Sequence, residues 1–342
     1  MNPYTGLSRQ IKDAGLLDRA PRRYVARFLG LALGYAAAVT ALLGLGRSWW
    51  QLAVAIGFGV LFTQTAFLAH DAAHRQVFSS GKHNETLARV LGNLVVGLSH
   101  GWWMRKHSRH HANPNKVGAD EDIKPGPLVW TPEDAAQRTG PAAWFAARQG
   151  WLFFPLLTLE GLNLHAGALR TALGRSPLPH RRTEVTFLAV RLLGWPLLVL
   201  WTLGAGLGAA FLAVQLAVFG VYMGASFAPN HKGMPLVPRD TTIDFLSRQV
   251  LTSRNIRGGR WVDWLMGGLN LQIEHHLFPS MPSSTLRRAR PLVREYCLEQ
   301  GIPYTEAGLV ESYGIVVRHL NRVGLGDRDP FACPFVVAHR TG

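Results

Sequence analysis

Two long uncharged apolar runs dominate the first part of the chain. Residues 28–46 and residues 48–69 contain no charged side chain. A helix needs ~20 apolar residues to cross the hydrocarbon core of a bilayer. Each run therefore predicts one membrane-spanning helix, and the short turn at Arg47 predicts that the two form a hairpin.

A third apolar region is long enough for two further spans. Residues 192–230 are uncharged, and as one helix they would extend roughly 58 Å, about twice the thickness of the hydrocarbon core. Three glycines within residues 202–208 weaken helix at that point. We therefore predict a second hairpin, with spans near residues 185–203 and 207–228.

The predicted fold class is an all-α integral membrane protein, with four transmembrane helices in two hairpins and a cytoplasmic helical cap. Its segments, all within one domain of residues 1–342, are an N-terminal stretch (1–27), hairpin one (28–69), a cytoplasmic and interfacial stretch (70–183), hairpin two (184–229) and a cytoplasmic cap (230–342). The finer expectations are a helix over 85–106, a loop over 110–135, an interfacial helix over 141–170 and two helices within 284–322.

Basic residues predict the orientation in the membrane. The segment before the first span contains Arg9, Lys12, Arg19, Arg22, Arg23 and Arg27. The first hairpin turn contains only Arg47, and the second contains no charge. Because cytoplasmic loops carry the excess of Lys and Arg, both termini and the middle stretch are expected in the cytoplasm. No cleavable signal pattern is visible, so the first run is expected to stay as an anchor.

The net charge of +15 raises the question of nucleic-acid binding. No recognition motif accompanies the charge, and a basic cytoplasmic face beside anionic lipid accounts for it. We therefore expect no nucleic-acid partner. The only two cysteines, Cys297 and Cys333, do not have the spacing of a zinc site or a disulfide framework, which predicts ordinary thiols in a reducing compartment.

Eight of the fourteen histidines fall into four clusters. They are His70 and His74 in HDAAH, His107, His110 and His111 in HSRHH, His231 after the fourth predicted span, and His275 and His276 in QIEHH. Residues at i, i+3 and i+4 of a helix share one face, so each motif would present two or three donors together, with Gln272 included in the third. Eight imidazoles exceed what one metal ion uses, which predicts two ions.

The location and the donor type together suggest a reaction class. Donors at the ends of membrane spans indicate a lipid substrate, and a nitrogen-rich pair of metal ions favours oxygen activation over hydrolysis. Zinc has no redox chemistry, which favours iron. A hydroxylase of alkanes, sterols or carotenoids would share this architecture, and a metal transporter would also use histidines. Transporters, however, place coupling sites near the bilayer midplane, whereas these clusters follow the spans.

The three motifs together resemble those of the membrane fatty acid desaturases with histidine boxes. HDAAH is similar to the first box, HSRHH to the second, and QIEHH to the third in its glutamine variant. The resemblance covers roughly residues 30–300. Residues 226–235 and 253–282 look most like the actinobacterial acyl-CoA desaturases, and the third box is also similar to that of front-end desaturases.

The resemblance implies a di-iron centre held by the eight clustered histidines, with O2 as co-substrate and a fatty acyl chain, carried as an acyl-CoA, as substrate. It implies a bacterial inner membrane and a separate ferredoxin- or flavin-type reductase, since the HPGG haem motif of fused relatives is missing from the sequence. Gln272 and Asn230 are expected as additional or water-mediated ligands. The acyl-CoA members have an asparagine four residues before the late histidine, where this chain has Phe227.

Further side chains are expected to support the site. Four carboxylates either accept from imidazole N–H groups and orient the rings, or are surface or helix-capping groups without a role at the site: Asp71, Asp244, Asp263 and Glu274. Six basic residues could bind phosphates of coenzyme A, although the excess of Lys and Arg on the cytoplasmic flank of membrane spans is the favoured explanation for them: Arg75, Arg105, Lys106, Arg254, Arg257 and Arg260.

Overall fold

The computed structural model describes residues 3–326 of the 342-residue chain, so Cys333 lies outside the described residues. The chain divides into two compact units. Unit one contains the described parts of residues 1–18, 106–155 and 226–342, and unit two contains residues 19–105 and 156–225.

The described residues are predominantly helical. In chain order the helices are α1 (Pro3–Asp13), α2 (Pro21–Gly44), α3 (Gln51–Ala73), α4 (Gly81–Arg89), α5 (His100–Ala112), α6 (Pro132–Ala136), α7 (Gly140–Ala146), α8 (Gln149–Leu157), α9 (Glu160–Leu173), α10 (Arg181–Ala189), α11 (Trp195–Leu203), α12 (Ala205–His231), α13 (Phe245–Leu251), α14 (Arg260–Leu265), α15 (Gln272–Leu277), α16 (Leu286–Glu299) and α17 (Leu309–Gly324). Two π-helical segments, Val90–Val96 and Val190–Gly194, follow α4 and α10, and a short 3₁₀ helix covers Glu121–Ile123.

Four helical segments are long and apolar enough to cross a membrane. They are Pro21–Gly44, Gln51–Ala73, Arg181–Leu203 and Ala205–His231, so the four predicted spans are confirmed as helices. Gly204, at a φ of 80°, ends α11 between the third and the fourth, where the glycine cluster predicted a break. Their pairing as two hairpins stays a prediction.

The predicted helix over 85–106 is wrong as a single element. α4 continues as the π-helical segment to Val96, the chain turns at Gly97 with a φ of 94°, and α5 begins at His100. A Cβ atom at Gly97 would lie 2.8 Å from the side chain of Leu192. Glycine adopts this positive φ without steric cost, whereas other residues rarely do, and the turn at Gly97 interrupts the helix.

The segment around residues 110–170 also differs in detail. Instead of one helix over 141–170 there are three, α7 to α9, and α8 and α9 are bent by 72°; counted as one span, this pair would raise the number of spans from four to five. Its interfacial position stays a prediction. The loop predicted over 110–135 is confirmed for most of its length, but α5 extends to Ala112 and α6 begins at Pro132. Thr131 caps α6 by accepting from the backbone N–H of Asp134.

The all-α expectation misses one small sheet. Strands β1 (Asn255–Arg257) and β2 (Glu306–Gly308) pair in parallel, with Ile256 opposite Ala307. Three residues are too few to show the alternating pattern that predicts a strand. The two helices expected within 284–322 are present as α16 and α17.

Glycines allow the helices of unit two to pack closely. A Cβ atom at Gly220 of α12 would lie 2.3 Å from the carbonyl oxygen of Leu157 and 2.6 Å from the backbone nitrogen of Gly161. At Gly59 of α3 a Cβ atom would lie 2.7 Å from Val218. Small residues that let helix backbones approach are typical of membrane helix packing.

The helix that carries QIEHH is anchored in the main hydrophobic core of unit one. Ile273 and Leu277 of α15 are fully buried, and each such side chain contributes ~1.5–3 kcal/mol. The surrounding core includes Leu7, Ile11, Leu246, Val250, Phe278, Val293 and Cys297. Burial raises the pKa of the Cys297 thiol to about 12, consistent with the ordinary, unreactive thiol that the sequence predicts.

Candidate metal centre

The HSRHH motif lies on α5, as its spacing predicts. His107, His110 and His111 share one face of this helix. The Nε2 atoms of His107 and His111 are 2.9 Å apart. His107 and His110 are both buried, so the face turns away from solvent and gathers imidazoles in the interior of unit one.

His231 and the QIEHH motif reach the same place. His231 is the last residue of α12, and its Nε2 atom lies 3.3 Å from that of His110. The ring of His276 stacks on that of His111, with centroids 4.3 Å apart, and the centroid of His275 lies 4.9 Å from that of His111. Six of the eight predicted ligands thus meet in unit one.

Three of these rings are fixed by a hydrogen bond at Nδ1. The pairs are His110 with the carboxylate of Asp120 at 3.0 Å, His231 with the carbonyl oxygen of Thr252 at 2.9 Å, and His276 with Oε1 of Gln249 at 2.8 Å. An ionised carboxylate and a carbonyl can only accept. Each of these rings therefore carries its hydrogen on Nδ1 and has a lone pair on Nε2.

The orientation of the Gln249 amide follows from its second contact. Its Nε2 atom donates to the carbonyl oxygen of His111 at 2.9 Å. The amide oxygen must then face His276, where it accepts the Nδ1 hydrogen. One side chain thereby fixes a ring of the third box and holds the backbone of the second.

The three rings fit a metal ion. The centroids of His110, His231 and His276 are 4.6–5.0 Å apart, and their ring nitrogens lie within 4.8 Å of one another. Within residues 3–326, the buried Nε2 atom of His276 has no hydrogen-bond partner. Neutral imidazoles whose Nδ1 hydrogens are bound by outer acceptors form the usual donor set for Fe, Zn or Cu.

The pKa of His276 and the pKa of His110 are shifted in opposite directions. Burial, followed by the charges of the neighbouring histidines, holds the pKa of His276 well below its usual range, so this ring stays neutral as a metal ligand must. Burial also lowers the pKa of His110, but the hydrogen bond to Asp120 and the charges of Asp122 and Asp120 outweigh it and raise the pKa above the usual value. The carboxylates beside His110 therefore increase the basicity of that ring.

His70 and His74 lie close together in unit two. His70 lies in the last turn of α3, and His74 is the first residue after the end of this helix. The centroids of the two rings are 4.6 Å apart. The edges of both rings contact Trp103, at 5.4 and 6.2 Å between centroids. The HxxxH spacing therefore places both donors on one face, as predicted.

Gln272 and Asn230 are both buried beside His231. The Nε2 atom of Gln272 lies 3.0 Å from Nε2 of His231, and Asn230 Nδ2 donates to Gln272 Oε1 at 3.1 Å. Because the His231 nitrogen has a lone pair, the glutamine amide donates to it. The Oδ1 atom of Asn230 is buried without a hydrogen-bond partner among the described residues.

Three of the four carboxylates expected to orient imidazoles do something else. Asp244 caps α13 by accepting from the backbone of Ser247, Asp263 pairs with Arg287, and Glu274 accepts from Asn255 and Tyr304. Burial, the largest influence, raises the pKa of Glu274 to about 6. The orienting role is wrong for these three side chains. Asp244 has the local capping role that was the alternative, whereas Asp263 and Glu274 contact partners that spacing along the chain does not reveal.

Asp71 is the exception among the four. Its Oδ1 atom lies 3.6 Å from Nδ1 of His70, although its other oxygen accepts from Arg27 at 2.6 Å and from Tyr24 at 3.3 Å. The carboxylate therefore lies beside its histidine, as expected, and is itself held by α2.

The residues that orient the rings in unit one were missed from the sequence. Asp120 lies in the acidic run GADED, within the segment for which the sequence predicts only a loop, residues 110–135. Three acidic residues shortly after HSRHH in a strongly basic chain were the available signal. Gln249 and Thr252 gave no signal, because their contacts with the boxes depend on the fold.

The structure changes the expectation for the basic residues. Arg254 is buried, with 2% of its surface exposed, and is not available to a substrate phosphate. Lys106 pairs with Asp122 at 2.8 Å, and Arg105 donates to the carbonyl of Pro177 at 2.7 Å. Arg257 and Arg260 are exposed.

The fold and the site define the class: a predominantly helical protein with membrane-spanning segments and buried histidine clusters that can hold metal ions. A sequence model of the fatty acid desaturase family matches residues 47–308. The chain belongs to the fatty acid desaturase family, whose members are membrane-bound oxidoreductases of lipid metabolism.

Individual relatives agree with this assignment. The chain is 30% identical over 322 residues to the Delta(5) fatty acid desaturase fat-4 of Caenorhabditis elegans, covering 88% of this chain and 69% of that protein. It is 31% and 29% identical to the acyl-lipid (9-3)-desaturases of Physcomitrium patens and Borago officinalis, covering 80% and 79% of this chain. The chain spans 53% and 63% of the length of these last two proteins.

Proposed function

We propose that this protein introduces a cis double bond into a fatty acyl chain, using O2 and two iron ions. The proposed iron ligands are His70, His74, His107, His110, His111, His231, His275 and His276. The observation that carries the proposal is the group His110, His231 and His276, whose Nδ1 atoms are bound by outer acceptors, so that each Nε2 atom has a lone pair, which in His231 accepts from the Gln272 amide. Only the resemblance of the histidine boxes supports the proposal that His70 and His74 belong to the same metal centre as the other six ligands.

The proposed reaction balances with an external reductant. A –CH2–CH2– unit of the chain gives up two hydrogens, and these, with two electrons and two protons from outside, reduce O2 to two molecules of water. Bound iron would supply the reduction of O2 and the removal of hydrogen from an unactivated methylene, which no amino-acid side chain can do. Asp120, Thr252 and Gln249 would keep the ligand rings in place.

Gln272 and Asn230 are proposed as neighbours of the metal, either as additional ligands or through water. The support is the contact between Gln272 Nε2 and His231 Nε2. The Asn230 side chain lies behind that amide and accepts no hydrogen bond in the described part of the chain. Gln272 occupies the position where the usual third box has a further histidine.

The substrate, electron donor and location complete the proposal. We propose an acyl-CoA substrate, a separate ferredoxin- or flavin-type reductase, and a bacterial cytoplasmic membrane with both termini inside. The basic N-terminal segment and the nearly uncharged hairpin turns support that orientation. The names of two relatives specify acyl-lipid activity. The test therefore includes acyl chains carried on coenzyme A and acyl chains carried on phospholipid.

The test is expression of the full chain with a ferredoxin and its reductase, followed by mass spectrometry of fatty acids with location of any new double bond. Purified enzyme would then be given acyl-CoA and phospholipid substrates separately. We expect a new unsaturated product, lost in His275→Ala and His276→Ala. His83→Ala is the matched control, because His83 is exposed on α4 and outside the boxes.

Other products would assign other functions. A hydroxylated chain in place of a double bond would make the protein a hydroxylase. Metal flux without lipid oxidation would make it a transporter. Purified protein that binds no stoichiometric iron under reducing, zinc-free conditions would overturn the proposal.

A further inference from the structure

A buried guanidinium lies directly behind the proposed ligand His231. Arg254 is among the largest fully buried side chains of the described chain. None of its hydrogen bonds within residues 3–326 goes to a carboxylate. A buried charge without an ionic partner is costly unless polar groups compensate for it, so its contacts require an explanation.

The contacts of Arg254 fall on both sides of His231. Its Nε atom donates to the carbonyl oxygen of Pro229 at 2.9 Å, and Nη2 donates to the same oxygen and to that of Lys232 at 2.9 Å. Its backbone N–H donates to the carbonyl oxygen of Asn230 at 2.8 Å. Three carbonyls that flank the ligand therefore share one partner residue.

The end of α12 needs such a partner. The last carbonyls of a helix have no amide from a following turn, and α12 ends at His231. The negative end of the helix dipole also favours a cation. The planar fork of an arginine reaches two carbonyls at once, which the single ammonium of a lysine does not do in the same geometry.

The same short segment also holds the ring of His231. The carbonyl oxygen of Thr252, two residues before Arg254, accepts from His231 Nδ1. Residues 252–254 therefore bind both the side chain and the neighbouring backbone of one ligand. A ligand at the end of a helix, where terminal turns fray, gains a fixed position from these contacts.

We infer that Arg254 is a positioning residue that holds His231 in place for metal binding. The inference rests on the proposed function, in which His231 is an iron ligand. It differs from the phosphate binding that the sequence left open for Arg254, since this guanidinium binds the protein backbone.

The test compares Arg254→Gln and Arg254→Lys with a matched control. Arg191 is also buried, and its Nε donates to the carbonyl oxygen of Val95 at 2.7 Å, within unit two. Arg191→Gln should therefore lose a similar buried contact without affecting His231. The measurements are Fe(II) per folded, monodisperse polypeptide, Fe(II) affinity by chelator competition, and hydrogen exchange of the amides of residues 230–234 in metal-free protein.

We expect Arg254→Gln to weaken binding of one of the two Fe(II) ions by about 10- to 100-fold, the range found when residues that orient metal ligands are replaced. Amide exchange at residues 230–234 should accelerate in the metal-free protein, and Arg254→Lys should lie between the wild type and Arg254→Gln. Arg191→Gln should keep the iron affinity and the exchange rates of the wild type. In a His231→Ala background, Arg254→Gln should have no further effect on iron binding.

The outcomes separate this inference from the function on which it rests. Wild-type iron affinity and amide exchange in both Arg254 variants, with iron lost in His231→Ala, would overturn the positioning role and leave the proposed function intact. Unchanged iron binding in His231→Ala would remove His231 from the ligand set and overturn both statements about it. If Arg254→Gln does not fold, Arg254→Lys decides the question by the same two measurements.

Discussion

The Nε2 atoms of His110 and His231 lie 3.3 Å apart although both rings give their Nδ1 hydrogens to acceptors elsewhere. Neither Nε2 atom then carries a hydrogen in the neutral ring, so two lone pairs are close together in a buried place. A metal ion between them would turn this repulsion into binding energy. The arrangement depends on the outer acceptors, which makes them suitable targets for mutation.

Replacement of Asp120 by Asn should weaken iron binding by about 10- to 100-fold, because the neutral amide no longer holds the Nδ1–H tautomer of His110 or raises the basicity of its ring. Chelator competition with Fe(II) on purified protein measures the effect. Asp244→Asn is the control. Asp244 is exposed and caps α13, and asparagine caps a helix as well as aspartate. Equal iron affinities in the two variants would show that Asp120 does not act on the metal centre.

The protein should become less stable as the pH is lowered, because His319 titrates. Burial, with smaller contributions from the charges of Lys232 and Arg254, lowers the pKa of His319 to about 4 in the folded protein, below the ~6.5 of an unfolded chain. The unfolded state therefore binds the proton first. The contribution of His319 is fully present above about pH 6.5, and about 3 kcal/mol is lost as the pH falls to about 4.

The measurement is thermal unfolding of detergent-solubilised protein at about pH 7.5 and about pH 5. His319→Gln should show a smaller loss of melting temperature between these pH values than the wild type. The comparison is made as a difference between variants, because other buried histidines titrate in the same range. An identical loss in both proteins would contradict the assignment to His319.

Replacement of Gly220 by Ala should destabilise unit two. The added Cβ atom would lie 2.3 Å from the carbonyl oxygen of Leu157 and 2.6 Å from the nitrogen of Gly161, and overpacking of this kind costs ~1–3 kcal/mol. Gly57→Ala is the matched control in α3, since among the described residues no atom outside its own stretch of helix lies within 4 Å of its Cβ position. Thermal melting should place Gly220→Ala below both the wild type and Gly57→Ala, and equal melting temperatures would contradict the close helix contact.

Local patterns in the sequence determined where the apolar helices lie and which histidines share a helix face. The four spans follow from apolar length, and the shared faces of HDAAH, HSRHH and QIEHH follow from the pitch of a helix. Both are properties of residues close in the chain. The break at Gly97, by contrast, was not predicted, because a single glycine in an apolar stretch does not by itself mark the end of a helix.

The tertiary structure alone decided how the metal ligands are held. The sequence placed the orienting role on Asp244, Asp263 and Glu274, and all three have partners elsewhere. Gln249 reaches the backbone of His111 across 138 positions, and Arg254 reaches the end of α12 across more than 20. Which acceptor a buried imidazole finds is set by how distant segments pack, because a hydrogen bond depends on distances of a few tenths of an ångström, which spacing along the chain does not encode.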